Sequence, residues 1–172
     1  MVQRIEGWQR SCALLDLLGL MMWIGGFTAI LTMVVPAVFN TLEMETGGRL
    51  LRRVFDGYHT LTSGIVVVFT GTTVIRSWQA RREPEWNAPP TRWEIGLVAV
   101  LAGVTCVIVW GLGPQAVRLQ EAAFEAESRE AKQAAFEAFF QLHMIVRALH
   151  LVNVGVAVSL LVVKCRRWIQ QP

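Results

Sequence analysis

The stretch CALLDLLGLMMWIGGFTAILTMVVPAVF, from Cys12 to Phe39, decides the fold of this protein. It contains a single charged side chain, Asp16. About 20 consecutive apolar residues are enough for a helix to cross the ~30 Å hydrocarbon layer of a membrane. A signal peptide has an apolar core of only ~7–15 residues, followed by a small-x-small cleavage site that is missing here. We therefore expect this stretch to be a retained membrane span.

Three more apolar runs follow, at about residues 57–75, 95–117 and 142–163. Each must be helical, because lipid offers no hydrogen-bond partner to the backbone. The sequence therefore predicts an all-α integral membrane protein, an antiparallel four-helix transmembrane bundle that forms one domain over residues 1–172. An even number of spans places both termini on the same side of the membrane.

The composition supports this prediction and narrows the function. Apolar residues make up 53% of the chain and charged residues only 17%, whereas soluble domains average ~25% charged. The three cysteines form no CxxC pair, and no phosphate loop or catalytic nucleophile motif is present. We expect no catalytic residues and no enzymatic activity.

The charges predict an orientation. Lysines and arginines are more frequent on the side of the termini, whereas most acidic residues fall in the opposite connections. By the positive-inside rule both termini should be cytoplasmic, in an inner membrane. The net charge of +3 fits a basic rim that faces anionic lipid. The expected partners are therefore the lipid bilayer and a homo-oligomer or larger membrane complex, with no nucleic acid.

The connections between the spans differ in character. Pro84, Pro89 and Pro90 exclude a helix between the second and third spans. The Ala/Glu-rich stretch 118–140 favours helix, which predicts that helix four extends outside the membrane and begins near Ser128 or earlier. The segment from Thr41 to Phe55 is expected to form a separate, shorter amphipathic piece at the outer surface.

Ionisable side chains inside the spans are candidate functional groups, because they are costly in lipid. Asp16 lies about eight residues from the middle of its span, so roughly 12 Å from the membrane centre. At that depth the carboxylate should reach Glu94 or Arg92 more easily than any histidine. We expect a structural role for Asp16.

A second set of polar residues forms a candidate cluster at the outer side. His143, Arg147 and His150 share one face of helix four, with Asn153 at its flank, and the second span contributes His59 and Asp56. In one interpretation the cluster binds a metal, haem or an anionic ligand, with His59 and His143 as two imidazoles. In the other, Arg147 pairs with Asp56 or with a Glu of the outer loop, and the histidines cap helix ends or make hydrogen bonds between helices. No cofactor is predicted, with haem b or a metal ion as the alternative.

Four segments resemble the transmembrane-protein-205-like domain family, whose bacterial members are four-span proteins without an assigned function. They read LLGLMMWIGGFTAILTMVVPAVF, GGRLLRRVFDGYHTLTSG, GLGPQAVRL and FEAFFQLHMIVRALHLVN. The resemblance covers nearly the whole chain and implies the same fold and a membrane location. The matching positions give five helix-packing candidates: Trp23, Gly25, Gly26, Pro36 and Pro114. Asp56, Arg147 and His150 depart from the family pattern.

Three functions remain open from the sequence. The first is a non-enzymatic accessory or structural subunit of a membrane complex. The second is transport of ions or small molecules through an oligomer, with Asp16, Arg147 and His150 along the path. The third is a haem- or metal-binding membrane protein that uses the histidines at positions 59, 143 and 150.

Overall fold

In the computed structural model, every regular element within the described part of the chain is a helix. It describes the backbone of residues 2–82 and 89–169, and the side chains of residues 7–8, 10–82 and 89–169. The α-helices are α1 (Val2–Ala29), α2 (Val35–Thr41), α3 (Met44–Arg82), α4 (Arg92–Cys106), α5 (Gly113–Glu125) and α6 (Arg129–Ile169). Two short π-helical segments, Ile30–Val34 and Val107–Leu112, join α1 to α2 and α4 to α5.

These elements form four continuous helical runs within the described residues: Arg10–Thr41, Met44–Arg82, Arg92–Glu125 and Arg129–Ile169. Each is long and apolar enough to cross a membrane. The predicted fold class is confirmed, and the protein is a multi-pass membrane protein. Asp16 in the first run contacts Lys164 in the last, so both ends of the chain lie on one side of the bundle. We name that side the inner side and the opposite one the outer side.

The outer extension of helix four is also confirmed. α6 begins at Arg129, where Ser128 accepts a hydrogen bond from the Ala131 backbone N–H and so caps the helix. With 41 residues, α6 is about 60 Å long at ~1.5 Å per residue, twice the thickness of the hydrocarbon layer.

The expectation of a separate helix between Thr41 and Phe55 is wrong. The chain breaks only at Leu42, whose backbone is extended, and α3 then runs without interruption from Met44 to Arg82. No proline interrupts this sequence, and an Arg49–Glu45 ion pair at i,i+4 spacing supports its first turns. The second span therefore projects beyond the membrane as α6 does.

The loop between α3 and α4 fits the expectation as far as it is described. Pro89 and Pro90 lie outside any helix, and α4 begins at Arg92. Pro84 lies outside the described residues. The Thr91 side chain accepts the Glu94 backbone N–H and caps α4.

Both π-helical segments are followed by a proline in the first turn of the next α-helix, Pro36 in α2 and Pro114 in α5. Proline has no N–H and its ring clashes with the carbonyl four residues earlier, so it disrupts the regular helical ladder. Here the wider i→i−5 bond takes over: Val35 donates to Ile30, and Gly113 donates to Ile108. In the first and third runs, a π-helical segment and a proline therefore separate the outer part of the helix from the inner part.

The inner half of the bundle is filled by apolar side chains from all four runs. Its core includes Leu20, Trp23, Ile65, Phe69, Leu101 and Leu160, each at most 6% exposed. Gly19 lies directly against this core, because a Cβ on it would come within 2.8 Å of the Phe69 ring. At Gly19 the backbone of α1 therefore lies directly against the Phe69 and Ile65 side chains of α3.

The glycines singled out from the sequence behave differently. Gly25 is exposed, and a Cβ there would meet no atom within 4 Å, so the expected close approach does not exist at this position. A Cβ on Gly26 would lie 3.4 Å from the Tyr58 ring, which is an ordinary contact distance. Gly48 has less room, because a Cβ on it would come within 2.9 Å of the Gln120 side chain.

Candidate functional site

The outer halves of the four helical runs surround a partly open cavity of about 1670 Å³, which we call the outer chamber. It is lined mainly by apolar side chains, and aromatic rings are prominent among them, including Phe27, Phe39, Phe55, Trp110, Phe136 and Phe140. Typical small-molecule pockets measure ~300–1,000 Å³. The chamber therefore has room for a larger, mostly apolar molecule.

The chamber wall includes residues of both π-helical segments, in the first and third runs, and the outer parts of α3 and α6. Leu31 and Trp110 belong to the two π-helical segments and face the chamber, as does Pro114. π-Helical turns inside α-helices are frequent at functional sites. From Gly48 to His59, both in its wall, the chamber follows α3 for about 17 Å.

The rim of the chamber is polar and partly closed. Arg52 on α3 donates to Glu121 on α5 at 2.6 Å, and the Arg49 guanidinium lies 5.5 Å from the centre of the Phe124 ring. These contacts join α3 to α5 at the outer end. The charges that line the chamber sum to zero, because there are three arginines (Arg52, Arg118 and Arg147) and three acids (Asp56, Glu121 and Glu137).

Two histidines form the floor of the chamber. The Nε2 atoms of His59 and His150 are 3.3 Å apart, close enough for one imidazole to donate a hydrogen bond to the other. Their rings are nearly parallel, and Phe27 stacks on the other side of His150 with 5.4 Å between ring centroids. Imidazoles of α3 and α6 thus meet near the middle of the bundle.

Polar groups continue just below the floor. Asn153 is buried and its side-chain amide donates to the Thr105 hydroxyl at 3.1 Å, while its Oδ1 has no partner in the described structure. The Tyr58 hydroxyl donates to the Trp23 carbonyl at 3.1 Å. Below this layer lies the apolar core, so the chamber ends at this level.

The structure brings together only part of the polar cluster expected from the sequence. His59 pairs with His150 and not with His143, whose ring stacks on Phe139 of its own helix. The sequence places His59 at the end of its span, whereas the longer α3 carries it to the depth of His150. A one-dimensional boundary between span and loop cannot show this shift.

Asp56 and Arg147 both line the chamber, yet no ion pair joins them in the described part of the protein. Both side chains are exposed. Each lies three residues toward the outer side from its histidine, His59 or His150, and α3 and α6 run in the same direction. The two opposite charges therefore lie at the same depth, about 4.5 Å above the floor.

A different group of charges lies at the inner side, the ion-pair cluster of Asp16, Arg76, Glu94, Lys164 and Arg167. Lys164 Nζ lies 2.6 Å from both Asp16 Oδ2 and Glu94 Oε1. Arg76 and Arg167 each approach a Glu94 oxygen at 2.7 Å, and Thr72 donates to Asp16 Oδ1. Both carboxylates are fully buried.

The ion-pair cluster joins all four helical runs, and it explains Asp16. A buried carboxylate is tolerated only when its oxygens are paired and hydrogen-bonded, and here every oxygen of Asp16 and Glu94 has a partner. Sequence reasoning treated Arg76, Lys164 and Arg167 only as positive charges near the membrane. The available signal was the pair of acids, Asp16 and Glu94, among the basic residues of the inner side.

The distance between the two histidines would also suit two ligands of one metal ion. A separation of 3.3 Å fits two nitrogens at one edge of a tetrahedral site with bonds of ~2.0–2.1 Å. However, no group of three or more His, Cys, Asp or Glu side chains is arranged to hold a metal ion within the described ranges. A hydrogen bond between the imidazoles accounts for the same geometry.

Comparison with known proteins places the chain in a family. No curated protein and no solved structure matches it. Residues 18–125 match a family described as a domain of unknown function, DUF4149. The matched segment runs from α1 to the end of α5, so it includes three of the four helical runs and most of the chamber wall. Because it covers more than half of the chain, the protein belongs to the DUF4149 family of uncharacterised domains.

Proposed function

We propose that this protein is a non-enzymatic membrane-embedded binding protein that holds an amphipathic, lipid-like molecule in its outer chamber. The observation that carries the proposal is the chamber itself, a cavity of about 1670 Å³ with apolar walls and a polar rim and floor. Large apolar cavities with a few converging polar groups are the usual form of a ligand site.

The contrast with the inner half supports binding over transport. Below the histidine floor the bundle contains closely packed side chains, and the ion-pair cluster follows at the inner end. A transported molecule would have to cross both layers. Binding needs only the chamber, which ends where the packed core begins.

The same proposal includes an orientation and an assembly. The excess of basic residues at the inner side supports cytoplasmic termini in an inner membrane, which directs the chamber to the opposite side. Large apolar side chains such as Met21, Val67 and Leu151 face outward and fit contact with lipid or with another membrane helix. An accessory role in a homo-oligomer or larger complex, and kinship with the transmembrane-protein-205-like domain family, belong to this proposal.

The test is the mass-spectrometric analysis of amphiphiles that remain bound after purification in a mild detergent. Ala116 lines the chamber, whereas Ala99 is exposed on α4 away from it. Tryptophan is introduced at each position in turn. Wild type and Ala99→Trp should retain about one amphiphile per chain, and Ala116→Trp should lose most of it, because the new ring occupies the chamber.

Equal retention by the two tryptophan variants would contradict the proposal, since the bound molecule would then lie on the outside of the bundle. The same preparation gives an absorption spectrum and a metal analysis. A Soret band or a stoichiometric metal that disappears in His150→Phe would favour the haem or metal alternative instead.

A further inference from the structure

The chamber contains charges at a depth where charges need partners. Asp56 and Arg147 lie on α3 and α6, about 4.5 Å above the histidine floor. Ionised side chains inside a membrane are expensive and are normally paired or turned to a polar cavity. Here each of them faces the chamber, and no ion pair joins them in the described structure.

The other charges of the chamber do not serve these two residues. Arg52 and Glu121 pair with each other at the rim, at 2.6 Å. Glu137 lies ten residues further out on α6 than Arg147, a distance of about 15 Å. Arg118 lies 13 residues outward of Thr105, the partner of Asn153, and so about 10 Å further out than Arg147. Asp56 and Arg147 are therefore a negative and a positive group at the same depth in the chamber, without an ion pair among the described residues.

We propose that the occupant of the chamber carries a zwitterionic head, whose cationic group binds Asp56 and whose anionic group binds Arg147; this inference rests on the proposed binding function. An ammonium group has donors that suit a carboxylate, and a phosphate accepts hydrogen bonds from a guanidinium in a bidentate manner. The equal number of arginines and acids around the chamber favours a head with no net charge.

The apolar walls determine where the rest of the molecule lies. The floor closes the chamber immediately below the head, with His59, His150 and Phe27 in contact. The hydrocarbon part therefore lies beside or above the head, against Phe55, Phe136 and neighbouring rings. The chemical class is an amphiphile with an acyl chain and a head that combines a phosphate with an amine.

The test compares three probes with the same acyl chain: lysophosphatidylethanolamine, lysophosphatidylglycerol and monoacylglycerol. Their binding to the purified full-length protein is measured by native mass spectrometry. Wild type should bind lysophosphatidylethanolamine about tenfold more tightly than lysophosphatidylglycerol, and the latter about tenfold more tightly than monoacylglycerol, because each step removes one charge-assisted contact. Lysophosphatidylglycerol has the phosphate without the amine, and monoacylglycerol has neither.

Variants assign the preference to the two residues. Asp56→Asn should remove the advantage of lysophosphatidylethanolamine over lysophosphatidylglycerol, and Arg147→Gln should remove the advantage of lysophosphatidylglycerol over monoacylglycerol. Arg53→Gln and Glu130→Gln are the controls, because both residues are exposed and lie outside the chamber wall; they should keep the wild-type preference. Unchanged elution in size-exclusion chromatography shows that each variant is folded.

The outcomes separate the two proposals. Equal binding of all three probes that is blocked by Ala116→Trp would overturn the zwitterionic head and leave the chamber as the binding site. A preference that survives in Asp56→Asn and Arg147→Gln would also overturn it. No binding of any probe, or binding that Ala116→Trp does not change, would overturn the binding function and this inference with it.

Discussion

The inner and outer halves of this bundle are built from the same four helical runs but are packed in opposite ways. The inner half has a core of side chains at most 6% exposed, and the ion-pair cluster joins all four runs. The outer half surrounds a cavity of about 1670 Å³. The boundary between them is the polar layer of His59, His150 and Asn153.

This difference indicates a division of roles along the helices. A four-helix protein with an open half needs its stability from the other half, because contacts that fill a core cannot also leave a cavity. The two π-helical segments and the prolines after them lie on the open side of the boundary. We infer that the inner half holds the fold and that the outer half carries the function.

The largest effect should come from Lys164→Met. Its ammonium contacts both buried carboxylates at 2.6 Å, and breaking a buried pair by removing one partner typically costs about 3–5 kcal/mol. The free energy of unfolding, measured by titration with SDS in mixed micelles, should fall by that order. Lys132→Met, at an exposed position of α6, should change it by less than about 0.5 kcal/mol.

A further variant tests the cause. If the loss comes from an uncompensated Asp16 charge, the double variant Lys164→Met with Asp16→Asn should be more stable than Lys164→Met alone. A double variant that is less stable by the sum of the two single effects would argue against the role assigned to the ion-pair cluster.

The second prediction compares one phenylalanine from each half. Phe69 is 1% exposed in the inner core, whereas Phe139 lines the chamber. Phe69→Ala should cost about 3–5 kcal/mol, because a cavity forms in a packed region. Phe139→Ala enlarges an existing cavity and should cost less than half as much in the same SDS titration. Equal losses would show that the outer half is packed as tightly as the inner half.

The polar layer between the halves should contribute less to the free energy of unfolding than the ion-pair cluster or Phe69. Tyr58→Phe removes the hydrogen bond from the tyrosine hydroxyl to the Trp23 carbonyl, and such bonds in membrane proteins average about 0.6 kcal/mol. Thr62→Val is a suitable comparison, because the Thr62 hydroxyl bonds only to carbonyls of its own helix among the described contacts. A loss above about 2 kcal/mol for Tyr58→Phe would show that this layer stabilises the fold as the inner half does.

The smallest effect is expected at the rim. Arg52 and Glu121 form an ion pair in which the side chains are 35% and 46% exposed, and exposed pairs contribute about 0–1 kcal/mol. Arg52→Gln should leave the SDS midpoint nearly unchanged and should accelerate the exchange of bound amphiphile, measured by the rate of probe release. Slower release would contradict the view that this pair closes the rim.

Much of the fold is present in the sequence, because length and apolarity of a span are local properties. The four crossings and the start of α6 near Ser128 follow from them, whereas the continuous α3 does not. Gly47 and Gly48 lower the helix propensity at this point, and only the structure shows that Gly47 lies against α2 and Gly48 against α5. The sequence predicts a structural or snorkelling role for Asp16, but it does not give the partner Lys164, which lies 148 residues away along the chain. Such pairing depends on how the helices are arranged around the bundle.

The candidate site was predictable only in part, for the same reason. Periodicity places His150 and Arg147 on one face of α6, yet it does not give the depth of His59 on another helix. The chamber was not predictable, because a cavity results from how four helices diverge and no residue type encodes it. The phenylalanines of the outer extension are the available signal, and they would equally suit a packed interface.

Photo-crosslinking tests the central claim most directly. The purified protein is incubated with a lysophosphatidylethanolamine that carries a diazirine in its acyl chain, irradiated, and digested for mass spectrometry. The account predicts crosslinks on chamber residues such as Leu31, Phe55 and Phe136, which excess unlabelled probe suppresses, and none on the inner core residues Leu20 and Leu101. Crosslinks confined to outward-facing residues such as Met21 and Val67, without any in the chamber, would contradict it.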